Sequence, residues 1–132
     1  MVFDDERKTD FTNEELKEII DSFLEYKTVL DKDSSVETHY LWGGDAFLSI
    51  LSQHNLDQCY LMNMKKIIEK YGEHDVYKLS LEKLDFLEIT TIMTYIPRVD
   101  HHDSYAEFVV QCVDDGTYYN LLCRLEEIRS EL

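Results

Sequence analysis

The side chains capable of chemistry are few in this chain, and they lie far apart. His101-His102-Asp103 sets two imidazoles beside a carboxylate, the groups that bind a divalent metal or pass a proton. Adjacent side chains in a loop point apart, and no His-x3-His or Cys-x2-Cys pair exists to complete a ligand set. The expectation is a solvated or capping loop, with neither metal nor cofactor. Arg98 and Arg124 are the residues an anion pocket would use, although pairing with carboxylates to lock a turn is the simpler role. Cys59, Cys112 and Cys123 have no metal spacing and no base in sequence reach, so they read as reduced core thiols. P-loop, G-x-S-x-G, H-E-x-x-H and dinucleotide patterns are all absent, and a non-enzymatic protein is expected.

Charge is the stronger signal. The 132 residues carry 28 acids against 13 bases, a formal charge of −15. Residues 1–38 hold 12 acids and 5 bases, and residues 99–132 hold 8 and 2, whereas residues 39–98 are nearly balanced at 8 and 6. Such a surface repels phosphate backbones and attracts cationic proteins, so direct binding to nucleic acid is not expected. The sharpest cluster is Glu14, Glu18, Asp21 and Glu25. At about 100° per residue these four fall within roughly 60° of one another on a helix. Like charges at i,i+4 cost about 0.2–0.5 kcal/mol per pair, so stability is given up along that stripe. Further acids, Asp114 and Asp115 among them, extend the candidate partner-binding set. Trp42, beside Tyr40 and Gly43-Gly44, reads equally as an exposed aromatic anchor or as a core residue at a tight turn.

The elements that must position these residues are helical. Residues 1–11 lack periodicity and are expected to form a flexible leader to a single helical domain, 12–132. Thr12 and Glu15 form a capping box that opens a helix to about Leu30, with Leu16, Ile19, Ile20, Phe23 and Leu24 on its apolar face. Helices from about Asp45 to His54 and Asp57 to Tyr71 follow, the second stopped by Gly72 and carrying the chain's basic cluster, Lys65, Lys66 and Lys70. Ser80 is the expected cap of a helix over 81–96 whose apolar residues occupy most of its circumference, with Pro97 forbidding continuation. Ser104 to Glu107 is a second capping box, for a helix that Gly116 ends, and Thr117 is the expected cap of the last helix. The prediction is an all-α bundle of five or six helices around residues 81–96. The apolar runs fall short of the roughly 20 residues a membrane span needs, and a chain without a signal peptide is expected in the cytoplasm.

Thr94-Tyr95-Ile96-Pro97-Arg98, Gly116 and Leu122-Cys123-Arg124-Leu125 together resemble a T-x-x-x-R … G … L-x-R-L pattern. It is found in a family of small bacterial and phage domains of uncharacterised function. The likeness covers residues 84–125, and a tryptophan upstream, as at Trp42, also fits. It implies a helical fold and no particular activity. The chain departs from the family in its loop, with His102-Asp103-Ser104-Tyr105 where the family has R-F-x-x-G.

These readings converge on a binding protein whose acidic surface docks on a basic protein, one that itself handles nucleic acid. In composition the chain is similar to phage-encoded inhibitors that occlude the basic channels of host defence nucleases, the anti-CRISPR type among them. Two alternatives stand beside it. One is a small enzyme or metal-binding domain built on the His101–Asp103 loop with Arg98. The other is a homodimer through the C-terminal helix, whose Tyr118, Leu121, Leu125, Ile128 and Leu132 recur at near-heptad spacing.

Overall fold

The computed structural model describes residues 10–32, 47–72, 83–100, 112 and 116–132. Among them are five helices and no strand: α1 (Asn13–Lys32), α2 (Phe47–Gln53), α3 (Tyr60–Tyr71), α4 (Phe86–Asp100) and α5 (Thr117–Ser130). The chain is all-α.

Several of the helix ends have a local cause. The capping box at α1 forms as its spacing predicts: the Glu15 N–H donates to Thr12 Oγ1, and the Thr12 N–H donates to Glu15 Oε1, both at 3.2 Å. α2 ends in a Schellman motif, with the Leu56 N–H on the Leu51 carbonyl at 2.8 Å and the Asn55 N–H on the Ser52 carbonyl at 3.1 Å. Asn55 adopts the left-handed conformation this motif requires (φ 56°), and the residue after it, Leu56, is fully buried. Gly72 ends α3 at φ 68°, its N–H donating to the Ile68 carbonyl.

α4 corrects two sequence expectations. It starts at Phe86 rather than near residue 81, because a second capping box fixes it there. The Glu88 N–H donates to Asp85 Oδ1 at 2.8 Å, and the Asp85 N–H donates to Glu88 Oε1 at 3.0 Å. It also runs through Pro97 to Asp100 instead of stopping at Ile96. Proline removes one N–H, the one that would meet the Met93 carbonyl, and it does so only one turn from the helix end. Burial of Pro97 and the anchoring of Arg98 by Asp57 offset that loss. The other end-points shift less: α3 starts at Tyr60 rather than Asp57, and Thr117 is not a cap but a buried helical residue. Gly116 takes the cap position at φ 83°, its carbonyl accepting from the Asn120 N–H. Ser80 and the helix expected over 104–116 lie outside the described residues, apart from the buried, helical Cys112.

α4 packs against α2, α3 and α5, as the central helix of the bundle. Ile89, Ile92, Met93 and Ile96 are completely buried, and so are Thr90 and Thr94. A buried hydroxyl without a partner is costly. Each of these threonines answers this by donating to its own helix: Thr90 and Thr91 to the Leu87 carbonyl, Thr94 to that of Thr90, at 2.8–3.0 Å. On the other side of the core, α1 packs against α5 and α2. Phe47 of α2 joins these elements, edge-on to Phe23 (5.3 Å) and to Tyr118 (5.6 Å). Phe11, the last residue of the expected leader, packs edge-on against Phe86 at 5.7 Å.

Candidate functional site

α1 turns its acids to solvent because its apolar residues point the other way. Ile19, Ile20 and Phe23 are at most 2% exposed, and the arc holding Glu14, Glu18, Asp21 and Glu25 is centred about 180° from them. All four carboxylates are on exposed residues. From Glu14 to Glu25 the ridge runs roughly 16 Å at 1.5 Å per residue.

The four are not equivalent. Asp21 accepts a forked pair from the Arg129 guanidinium of α5, with Nη2 to Oδ2 at 3.1 Å. That hydrogen bond, followed by the charge of Asp21, raises the Arg129 pKa further above its ordinary value. Among the described residues, Glu14, Glu18 and Glu25 have no cationic partner. Three turns of helix thus carry three uncompensated charges.

α5 lies antiparallel to α1, because Asp21 meets Arg129 while Lys27, farther along α1, meets Glu126 at 3.4 Å. Lys27 also sits over the Tyr119 ring, 5.7 Å from its centroid. Burial lowers the Lys27 pKa, but the charge of Glu126 and that of Tyr119 outweigh this and leave it raised. The packing sets the acidic α1 beside α5, whose acids Glu126 and Glu127 are matched by Arg124 and Arg129, and laces the two helices with two exposed ion pairs.

Both arginines proposed for an anion pocket make contacts within the fold, although the buried Nε of Arg98 has no hydrogen-bond partner among the described residues. Arg98 Nη2 donates to Asp57 Oδ2 at 3.1 Å, and its guanidinium stacks over Tyr60 at 5.4 Å. Arg124 Nε donates to the Leu84 carbonyl at 2.9 Å, tying α5 to the segment that leads into α4, and Nη1 reaches Glu127 at 3.2 Å. Trp42, His101, His102, Asp103, Asp114 and Asp115 lie outside the described residues. Among the described residues no group of three histidine, cysteine, aspartate or glutamate side chains is placed to hold a metal ion, and no helix is long and apolar enough to cross a membrane.

One feature escaped the sequence reading. Between α3 and α4 is a cleft of about 240 Å3, lined by Asn63, Lys66, Ile67, Lys70, Asp85, Leu87, Glu88 and Thr91. Lys70 pairs with Glu88 at 3.1 Å, and the Tyr71 hydroxyl donates to the same carboxylate at 2.9 Å. The bond to Glu88, then that to Tyr71, raises the Lys70 pKa, while burial and then Glu88 raise that of Tyr71. The available signal was the Asp85-x-x-Glu88 capping spacing, which fixes where α4 begins beside the lysines of α3.

Comparison with protein families, with characterised proteins and with solved structures gives no match to this chain.

Proposed function

We propose that this is a non-enzymatic binding protein that sets the acidic ridge of α1 on a basic protein surface, one evolved to hold nucleic acid, and blocks it. The observation that carries this reading is the state of Glu14, Glu18 and Glu25. They are exposed, aligned on one face, and unpaired among the described residues, while Asp21, Asp57, Glu88, Glu126 and Glu127 are each taken up by a lysine or arginine. Three aligned, exposed carboxylates without a counter-ion among the described residues retain an attraction for cations along that face. Opposite charge speeds encounter and favours basic partners over acidic ones. The cytoplasm, where such partners meet nucleic acid, is the compartment this reading implies.

The test is capture of basic nucleic-acid-binding proteins by the purified chain, at about 0.01 M and about 0.15 M salt, where the Debye length falls from about 30 Å to about 8 Å. Binding should weaken with salt and fall by about tenfold or more in Glu14→Lys/Glu18→Lys/Glu25→Lys. Asp21 is left intact so that its link to Arg129 survives. Affinity that ignores both salt and the triple reversal would exclude the ridge as the docking surface.

The dimer alternative gains nothing from the packing. Tyr118, Leu121 and Leu125, the residues a partner helix would need, are at most 1% exposed within the chain, and Ile128 and Leu132 pack against the same core.

A further inference from the structure

The α3/α4 cleft is built from elements that do not carry the acidic ridge, and it has a chemistry of its own. Asn63 lines it, is only 4% exposed, and leaves its Nδ2 without a hydrogen-bond partner among the described residues. Buried amide donors are almost always satisfied, so an orphan lining a cleft marks the place of an acceptor atom. About two turns farther along the same wall of α3 is Lys70, whose side chain is 59% exposed and whose ammonium makes one ion pair, leaving further protons for a second acceptor.

The facing wall has the opposite polarity. Asp85 uses Oδ1 to cap α4, and its Oδ2 has no partner among the described residues. Glu88 is fully engaged, one oxygen with Tyr71 and the Asp85 N–H, the other with Lys70. The charged and amide groups lining the cleft are therefore an amide donor and the ammoniums of Lys66 and Lys70 from α3, and from α4 the engaged Glu88 and one open carboxylate oxygen of Asp85. Ile67 and Leu87 supply apolar walls between them.

We propose that this cleft binds a small zwitterion of the free α-amino-acid class. The ligand carboxylate would accept from Asn63 Nδ2 and Lys70, its ammonium would donate to Asp85 Oδ2, and its side chain would rest on Ile67 and Leu87. A simple carboxylate satisfies Asn63 but leaves Asp85 Oδ2 without a donor. A simple amine pairs with Asp85 but leaves the buried amide orphaned. The cleft is below the roughly 300 Å3 at which sites for drug-sized ligands begin, and this restricts the occupant to a small metabolite.

The experiment is titration of the full-length, 15N-labelled protein with L-leucine, following the Asn63 side-chain NH2 and the Leu87 amide by NMR. Two arms use half of the same molecule: 4-methylpentanoate, which lacks the ammonium, and 3-methylbutylamine, which lacks the carboxylate. Saturable shifts with leucine, and binding about tenfold or more weaker for each half-molecule, are expected. Asp85→Asn keeps a good helix cap while removing the charge, and should weaken leucine by a similar factor. Asn63→Leu should abolish binding without lowering the melting temperature, because it removes an unsatisfied donor at similar volume. Glu14→Lys, on the ridge, should leave leucine binding unchanged. Absence of a saturable leucine shift overturns the proposal, and so do half-molecules that bind as well as leucine.

Discussion

At the scale of single residues, what was legible was chemistry confined to a few neighbours in the chain. The reciprocal bonds of Thr12 and Glu15, and the glycine stop at residue 72, both follow from side-chain type and three- or four-residue spacing. Of the adjacent tyrosines, Tyr118 turns inward and Tyr119 outward, as two consecutive helical residues must. Partners far along the chain were not legible: nothing in the sequence says that Glu88 gathers Lys70 and Tyr71 rather than meeting solvent. That cluster yields a pH prediction. The Tyr71 pKa is raised above its ordinary 10.0 by burial and then by the carboxylate it serves, so the folded state holds the phenolic proton more tightly than the unfolded chain does. The stabilisation is complete below the unfolded pKa and is lost as pH rises through the folded one. Tyr71→Phe should therefore cost about 1 kcal/mol at neutral pH, and the gap between the two proteins should close above about pH 10. Urea denaturation across that range, with tyrosinate absorbance followed in parallel, measures both effects. A gap that stays constant to strongly alkaline pH would mean that the proton is not involved.

At the scale of helices, an apolar circumference announced the central position of α4, but its ends were misplaced. The residue before a proline disfavours helix, but tertiary packing overrides this at Pro97, and Asp85, with Glu88 three residues on, caps α4. The acidic arc of α1 was legible in full, because helical periodicity alone places it opposite Ile19, Ile20 and Phe23. The loss of Asp21 to Arg129 was not, since it depends on how α5 packs. This arc predicts a conflict between stability and binding. Glu18 lies four residues after Glu14 and three before Asp21, so it is repelled from both sides. Glu18→Lys turns both contacts attractive and should stabilise the fold by about 0.5–1 kcal/mol, while lowering affinity for a basic partner. Thermal denaturation and a binding isotherm on the same sample test the pair of outcomes. A variant that binds normally would remove Glu18 from the interface, and one that loses stability would show that the arc is not under repulsive strain.

At the scale of the whole molecule, a formal charge of −15 on 132 residues acts against the compact state through self-repulsion. The exposed ion pairs Asp21–Arg129 and Lys27–Glu126 act in the other direction, and exposed pairs contribute only about 0–1 kcal/mol each. Salt weakens both terms, so the sign of its effect on stability tells which is larger. Self-repulsion sums over every exposed carboxylate, including the open line of Glu14, Glu18 and Glu25, whereas the pairs are few and partly hydrated. The melting temperature should accordingly rise between about 0.01 M and about 0.15 M sodium chloride, the interval in which the Debye length falls below the length of the ridge. Over the same interval the affinity for a basic partner should fall, because the field that strains the free protein is the one that recruits its target. Opposite responses to one variable distinguish a retained charge from an incidental one. If melting temperature falls with salt, the ion pairs between α1 and α5 dominate, and the ridge contributes little net repulsion for a partner to relieve.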